Sequence, residues 1–150
     1  MKKKIFNLKD LSKVIYLLKK NNKKISLCHG VFDLLHPGHI YHFEQAKEKS
    51  DILVVSITAD NKVLKGPGKP YFKEKLRMHT LASLEVVDYV VVSNEKSAVN
   101  VIKKIKPNFY VKGSDYKNSK DDVTGKINLE KQTIKKYGGE LLFTEGPTFS

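Results

Sequence analysis

The clearest structural signal in this chain lies in residues 25–39, which read ISLCHGVFDLLHPGH. The run from Ile25 to Cys28 is short and mostly apolar, which is typical of a buried β-strand. Pro37 suits the first turn of a helix, because its fixed φ angle is helical and its missing N–H would have no partner there. These residues therefore predict a strand, a turn and a helix, the first unit of an α/β fold.

The same alternation continues along the rest of the chain. A helix is predicted before the first strand, with one apolar face formed by Leu8, Leu11, Val14, Ile15 and Leu18. The predicted strands are Ile25–Cys28, Ile52–Thr58, Tyr89–Val92, Phe109–Lys112 and Glu140–Thr144. The helices predicted between them are Gly38–Lys49, Lys73–Leu84, Ala98–Ile105 and Ile127–Tyr137, the last one ended by Gly138 and Gly139.

Apolar strands separated by helices indicate a parallel sheet that is covered on both faces. We therefore expect a doubly wound, Rossmann-like α/β fold with a five-stranded parallel sheet. With 150 residues, the chain is long enough for one domain and too short for two ordinary ones. Residues 1–150 are accordingly expected to form a single domain.

Composition narrows the classes of protein to consider. The apolar runs are much shorter than the roughly 20 residues of a membrane span, and the N-terminus lacks the pattern of a secretory signal. We expect a cytoplasmic protein with no membrane partner.

The formal charge of +12 is spread over the whole chain, mainly at predicted helix ends, which favours a solvated surface over a nucleic-acid interface. The single cysteine, Cys28, lies in a strand and is expected to be a buried, inert thiol.

The turn after the first strand carries the strongest candidate site. In open α/β sheets, ligands bind outside the carboxyl ends of the strands. His36 and His39 lie three residues apart at the start of a helix and therefore project to one side of its first turn. Free backbone N–H groups and the positive end of the helix dipole lie beside them, and Gly38 has no side chain to block a ligand. The sequence predicts a phosphate site with two titratable donors.

Other interpretations of these residues are weaker. Neither the GxGxxG spacing of a dinucleotide site nor the GxxxxGK[ST] spacing of a P-loop occurs here. His36, His39 and His42 could ligate a metal, but no Cys, Asp or Glu partner accompanies them at ligand spacing, so no metal site is predicted. His42 and His79 are interpreted as capping or core histidines.

Arg77 is the only arginine among 28 basic residues. A chain that otherwise uses lysine needs a reason to use arginine, and the rigid guanidinium fork binds phosphate through two hydrogen bonds. Arg77 is therefore a candidate phosphate ligand, with chance as the alternative.

At Gly30-Val31-Phe32-Asp33 and His36-Pro37-Gly38-His39, the chain resembles the cytidylyltransferase-like nucleotidyltransferase superfamily. The HxGH motif follows GxFD at the family spacing and after a first strand. The resemblance extends over nearly the whole chain, through residues 62–70, 76–77, 87–91, 106–107 and 111–116. It is strongest to the adenylyltransferase domain of ADP-heptose synthases, and next to glycerol-3-phosphate cytidylyltransferases, which share the first motif and the ending Thr144-Glu145-Gly146.

The resemblance implies transfer of CMP or AMP from a nucleoside triphosphate to a sugar phosphate, with release of pyrophosphate. Such a reaction depends on positioning and charge neutralisation. The implied catalytic residues are His36, His39, Lys65 and Arg77. The implied nucleotide-binding residues are Gly30, Val31, Phe32, Asp33, Gly38, Lys62, Lys112, Gly113 and Asp115. The choice between Lys62 and Lys65 as the triphosphate ligand stays open.

The implied partners are a nucleoside triphosphate, Mg²⁺ carried by that triphosphate, and a phosphorylated small molecule; a homodimer is left open. The alternatives are a cytidylyltransferase that acts on a polyol phosphate such as glycerol 3-phosphate, and a nucleotide-binding module without turnover. The second alternative arises because relatives carry a Ser/Thr cluster near the phosphates where this chain ends at Ser150. Cys28-His29 also departs from the Thr or Asn with a polar neighbour that the families often carry. We expect residues 1–150 to be the N-terminal part of a longer protein.

Overall fold

The computed structural model describes residues 3–63, 68–114 and 126–146. Five helices and five strands alternate along these ranges. The helices are α1 (Leu8–Lys20), α2 (Pro37–Glu48), α3 (Glu74–Ala82), α4 (Val99–Ile105) and α5 (Lys126–Lys136). The strands are β1 (Ile25–Gly30), β2 (Ile52–Thr58), β3 (Tyr89–Ser93), β4 (Phe109–Gly113) and β5 (Glu140–Thr144). A short 3₁₀ turn covers Asp60–Lys62.

All strand pairs are parallel, and the strand order is β3-β2-β1-β4-β5. The order reverses at β1, so the ligand crevice of a doubly wound sheet is expected at the carboxyl end of this strand. Strand β1 pairs with β2 from Ile25 to Gly30, but with β4 only at Ser26 and Leu27. Strands β1 and β4 thus separate beyond Leu27 and leave room between their carboxyl ends.

The core forms two layers, one on each face of the sheet. Alternate residues of β1 serve opposite faces, as the pleat requires: Leu27 belongs to one layer and Cys28 to the other. Helices α1, α4 and α5 cover the first layer through residues such as Ile15, Ile102 and Ile134. Helices α2 and α3 cover the second through Phe43, Ala46 and Leu81.

The predicted five-stranded parallel sheet with helices on both faces is confirmed. The bounds of β2 and β5 agree with the prediction, whereas β1 continues two residues further, through His29 and Gly30. Helix α1 begins at Leu8, and the side chain of the preceding Asn7 caps it by accepting a hydrogen bond from the Asp10 N–H. In the described ranges, no helix is long and apolar enough to cross a membrane.

Candidate active site

A cavity of about 400 Å³ opens at the carboxyl ends of β1, β4 and β5, beside the N-terminus of α2. Its wall is formed by the end of β1 with the loop after it, by the start of α2, and by the ends of β4 and β5 with the residues that follow them. They contribute His29, Gly30, Val31, Phe32, His36, Gly38, His39, His42, Lys112, Gly113, Ser114, Thr144, Glu145 and Gly146. The cavity therefore lies at the position where the strand order reverses, with both histidines of the HxGH motif on its wall.

The two motif histidines cap helix α2. His36 is the N-cap residue, in extended conformation, and its Nδ1 accepts a hydrogen bond from the Gly38 N–H at 3.0 Å. The Nδ1 of His39 accepts from the His36 N–H at 3.1 Å, and the two ring centroids lie 4.0 Å apart. This is a capping box built from histidines instead of the usual hydroxyl and carboxylate side chains.

The capping bonds determine where the ring protons lie. An imidazole nitrogen that accepts a backbone hydrogen bond carries no proton, so a neutral ring must carry its proton on Nε2. His36 and His39 are thus held as Nε2–H donors on the cavity wall, at the positive end of the α2 dipole. Gly38 is required by this geometry, since a Cβ there would lie 2.7 Å from Cε1 of His36.

The loop between β1 and α2 is held in an unusual conformation. Phe32 has φ of 50°, a left-handed value that costs a non-glycine residue energy. Its ring makes edge contacts with His39 and Phe43, at centroid distances of 5.6 and 5.2 Å. The same ring lies over Gly30, where an added Cβ would approach it to 2.9 Å. Phe32 thereby connects the loop to the histidine helix.

The structure places Arg77 in the interior, 1% exposed, and it is not among the residues that line the cavity. Its guanidinium donates to the carbonyls of Phe72, Val31 and Thr58, each at 2.9 Å, and to Oδ1 of Asp60 at 2.7 Å. The fork expected to hold phosphate is occupied by protein acceptors. The sequence could not reveal this, because the acceptors come from three segments that lie apart in the chain. Arg77 instead supports the site from behind, through the backbone of Val31.

Asp33 also has a different position from the one expected of a nucleotide ligand. Its carboxylate accepts hydrogen bonds from the backbone N–H groups of Tyr71 and Phe72, at 2.6 and 2.8 Å. It therefore joins the GxFD loop to the segment before α3, and it is not among the cavity-lining residues. A direct contact with nucleotide stays a prediction that this geometry does not favour.

The remaining predicted ligands divide into three groups. Gly30, Val31, Phe32, Gly38, Lys112 and Gly113 line the cavity together with the histidines. Lys62 is exposed in the 3₁₀ turn, outside the lining set. Lys65 and Asp115 lie outside the described residues.

The structure adds site residues that the sequence analysis did not assign. His29 is 8% exposed; its Nε2 donates to the Lys96 carbonyl at 3.0 Å, so its Nδ1 accepts from the Ser56 hydroxyl at 2.7 Å. His42 lines the cavity, with Nδ1 2.7 Å from Oγ1 of Thr144, and is not a core residue as interpreted. The three-residue spacing that continues from His36 and His39 to His42 was the available signal.

Comparison with known proteins agrees with this geometry. A family model described as cytidylyltransferase-like matches residues 27–144. The bifunctional protein HldE of Helicobacter pylori strain J99 is 44% identical over 127 residues, which cover 83% of this chain and 27% of the relative. HldE of Geobacter metallireducens is 39% identical over 140 residues, or 92% of this chain and 27% of the relative. The chain thus spans about a quarter of the length of these relatives.

A solved structure of a lipopolysaccharide core biosynthesis protein from Thermoplasma volcanium is also similar. It superposes with a TM-score of 0.64 at 26% identity and covers 85% of this chain and 99% of its own. The family match spans the sheet from β1 to the end of β5, including the HxGH helix and every cavity-lining segment up to Thr144. On this evidence, the chain belongs to the cytidylyltransferase-like family.

Proposed function

We propose that this protein transfers a nucleotidyl group, most simply AMP, from a nucleoside triphosphate to a sugar phosphate and releases pyrophosphate. The observation that carries the proposal is the pair of His36 and His39, both held as Nε2–H donors on the cavity wall at the start of α2. Two neutral donors beside a helix N-terminus suit phosphate oxygens that gain negative charge during a reaction.

The reaction needs no covalent enzyme intermediate. A phosphate oxygen of the acceptor forms a bond to the α-phosphorus, while the bond from that phosphorus to the oxygen bridging it to the β-phosphorus breaks. The electron pair of the broken bond leaves with pyrophosphate. The protein's part is to align the two substrates and to donate hydrogen bonds to the charge that develops. His36 and His39 supply those donors, and Lys112, which also lines the cavity, adds positive charge.

The choice of AMP rests on likeness to the HldE proteins, and the choice of a sugar phosphate rests on the resemblance to ADP-heptose synthases.

Mg²⁺ would enter with the triphosphate. Among the described residues that line the cavity, Glu145 is the one carboxylate, and the described ranges contain no group of three His, Cys, Asp or Glu side chains that could hold an ion. Triphosphate oxygens are preferred ligands of Mg²⁺, so this donor set fits an ion carried by the substrate. We place the reaction in the cytoplasm.

A substrate panel tests the proposal. The protein is incubated with Mg²⁺, each of ATP and CTP, and a set of sugar phosphates together with glycerol 3-phosphate. Pyrophosphate release that depends on both ATP and a sugar phosphate supports the proposal. Pyrophosphate release with CTP and glycerol 3-phosphate would instead identify a cytidylyltransferase that acts on a polyol phosphate. Triphosphate binding without release under every condition would identify a binding module.

Substitution of the motif histidines tests the assignment of the site. We expect His36→Ala and His39→Ala each to lower turnover by at least about a hundredfold, because each removes a donor used most strongly in the transition state. His79→Ala is the matched control, since His79 is an exposed histidine of α3 outside the cavity. Wild-type turnover in either motif variant would overturn the assignment.

A further inference from the structure

Helix α2 and its N-cap carry four polar side chains at successive three-residue intervals: His36, His39, His42 and Gln45. His36 and His39 serve the phosphate site proposed above. His42 bonds to Thr144, the last residue of β5, and Gln45 bonds to Glu145, the residue after it. The helix that presents the phosphate donors therefore also holds the Thr144–Glu145 part of the cavity wall.

Gln45 makes the more specific of these contacts. Its side-chain Nε2 donates to the carbonyl of Glu145, and its Oε1 accepts from the N–H of the same residue at 2.9 Å. A single amide side chain thus satisfies both polar groups of one peptide residue located 100 positions away in sequence. The geometry resembles that of a paired strand, with the glutamine amide in place of a neighbouring backbone.

Glu145 follows directly after the last paired residue of β5. Among the described residues, the register of β4 with β5 ends at Gly113 and Thr144, and Glu145 pairs with no strand. One residue earlier, the Thr144 side chain is 6% exposed and lies 2.7 Å from Nδ1 of His42. Gln45 and His42 together attach residues 144–145 to α2, directly beside the cavity that Thr144, Glu145 and Gly146 line.

We infer that Gln45 is a positioning residue for triphosphate binding: its paired hydrogen bonds hold the Thr144–Gly146 wall at a constant distance from the HxGH histidines. This inference rests on the proposed function. The wall and the histidine donors belong to elements far apart in sequence, and Gln45 connects them directly. Without that connection, the free backbone of Glu145 would turn to water and the wall would sample wider positions, which lowers the population competent to bind.

The test compares Gln45→Met with wild type. Methionine keeps the length and the apolar stem of the side chain but removes both hydrogen bonds. Glu48→Met is the matched control, because Glu48 is exposed on the same helix and lies outside the cavity wall. The probes are α,β-methylene-ATP and α,β-methylene-CTP with Mg²⁺, measured by calorimetry, since neither can be cleaved between the α- and β-phosphates. Hydrogen exchange at the Glu145 amide reports the wall directly.

We expect Gln45→Met to weaken binding of the analogue by about three- to tenfold, the loss typical of one or two net hydrogen bonds. The Glu145 amide should exchange faster, and KM for the triphosphate should rise more than kcat falls. Glu48→Met should match wild type in all three measurements. Gln45→Glu, which retains the acceptor but places a carboxylate against the Glu145 carbonyl, should also bind the analogue more weakly, and it serves as the second variant if Gln45→Met does not fold.

Results that would contradict the positioning role of Gln45 can be distinguished from results that would contradict the proposed function. Faster exchange at Glu145 with unchanged affinity and KM would overturn the positioning role while leaving the proposed function intact. Unchanged exchange at Glu145 would show that Gln45 does not hold the wall, and it would equally overturn the inference. If the wild-type protein binds neither analogue and turns over neither triphosphate, the proposed function fails and the inference fails with it.

Discussion

At the scale of single residues, the buried guanidinium of Arg77 bonds to four protein acceptors. Its guanidinium was expected at phosphate because it offers several donors in a rigid plane. The structure uses that same property inside the protein, where the fork joins Val31, Thr58, Phe72 and Asp60. A lysine could not reach four acceptors in these directions.

We therefore expect Arg77→Lys to act mainly on stability. The substitution removes the guanidinium donors from the buried Thr58 carbonyl and the part-buried Val31 carbonyl, and we expect it to lower the free energy of unfolding by about 2–4 kcal/mol. Urea denaturation measures the change. Lys75→Ala, at an exposed position of the same helix, is the control and should alter stability by less than about 0.5 kcal/mol. Unchanged stability together with weaker triphosphate binding would restore the phosphate role.

Asp60 adds a pH dependence to the same cluster. Partial burial raises the pKa of its carboxyl, but hydrogen bonds from Arg77 and the Glu74 N–H outweigh burial and leave the pKa below its usual value. A carboxyl with a lowered folded-state pKa stabilises the fold above its unfolded pKa of about 4, and this contribution is lost as pH falls through the folded value. The stability difference between wild type and Asp60→Asn should therefore be constant near neutral pH and shrink in acid. Denaturation curves collected from pH 7 to pH 3 test this, and a difference independent of pH would contradict it.

At the scale of elements, the end of α5 shows that two adjacent glycines serve different purposes. Gly138 has φ of 85°, and its N–H donates to the Lys135 carbonyl, while the Gly139 N–H donates to the Ile134 carbonyl at 2.8 Å. This is a Schellman ending. Gly138 needs its glycine for the left-handed conformation. Gly139 needs it for space, since a Cβ would lie 2.6 Å from the carbonyl oxygen of Pro107.

The two glycines should respond differently to substitution. Gly138→Ala introduces only the left-handed strain and should cost about 1 kcal/mol of unfolding free energy. Gly139→Ala forces the α5–β5 connection away from the backbone before β4 and should cost about 2 kcal/mol or more. Thermal and urea denaturation of both variants give the comparison. Equal losses would mean that the contact with Pro107 relaxes without cost.

At the scale of the whole molecule, the reactivity of the Cys28 thiol measures whether the core layer under α2 and α3 is intact. Its side chain is fully buried in the core layer under α2 and α3. Burial raises the pKa of its thiol to about 12, against a smaller opposing effect of Lys112. Near pH 8 the thiol is therefore protonated as well as inaccessible, and both conditions prevent attack on thiol reagents.

We expect Cys28 to react with a thiol reagent only when the fold opens. Its labelling rate should rise with denaturant in proportion to the unfolded population, and saturating Mg-ATP should slow it, by about a hundredfold at one hundred times Kd. Labelling followed by absorbance or mass spectrometry provides the rate. A rate insensitive to both denaturant and nucleotide would show that local motion exposes Cys28 and that the layer is not a cooperative part of the core.

The order of elements and the central motif could be predicted from the sequence because both depend on neighbours in the chain. Strand and helix patterns repeat with short periods, and the contacts that orient His36 and His39 extend over only three residues. Local chemistry is sufficient for such features. The bounds of β2 and β5 agree with the prediction for the same reason.

The tertiary structure alone decided which long-range partners meet. The packing of three separate segments around its guanidinium took Arg77 into the interior. Strand order brought Thr144 and Glu145 beside α2, where His42 and Gln45 hold them, although about 100 residues separate the partners. Strand order and register decide which acceptors a side chain meets on a distant segment. Neither of them produces a periodic pattern in the sequence. The sequence by itself therefore determined the fold class and the HxGH motif, while the rest of the cavity wall depended on how distant segments pack together.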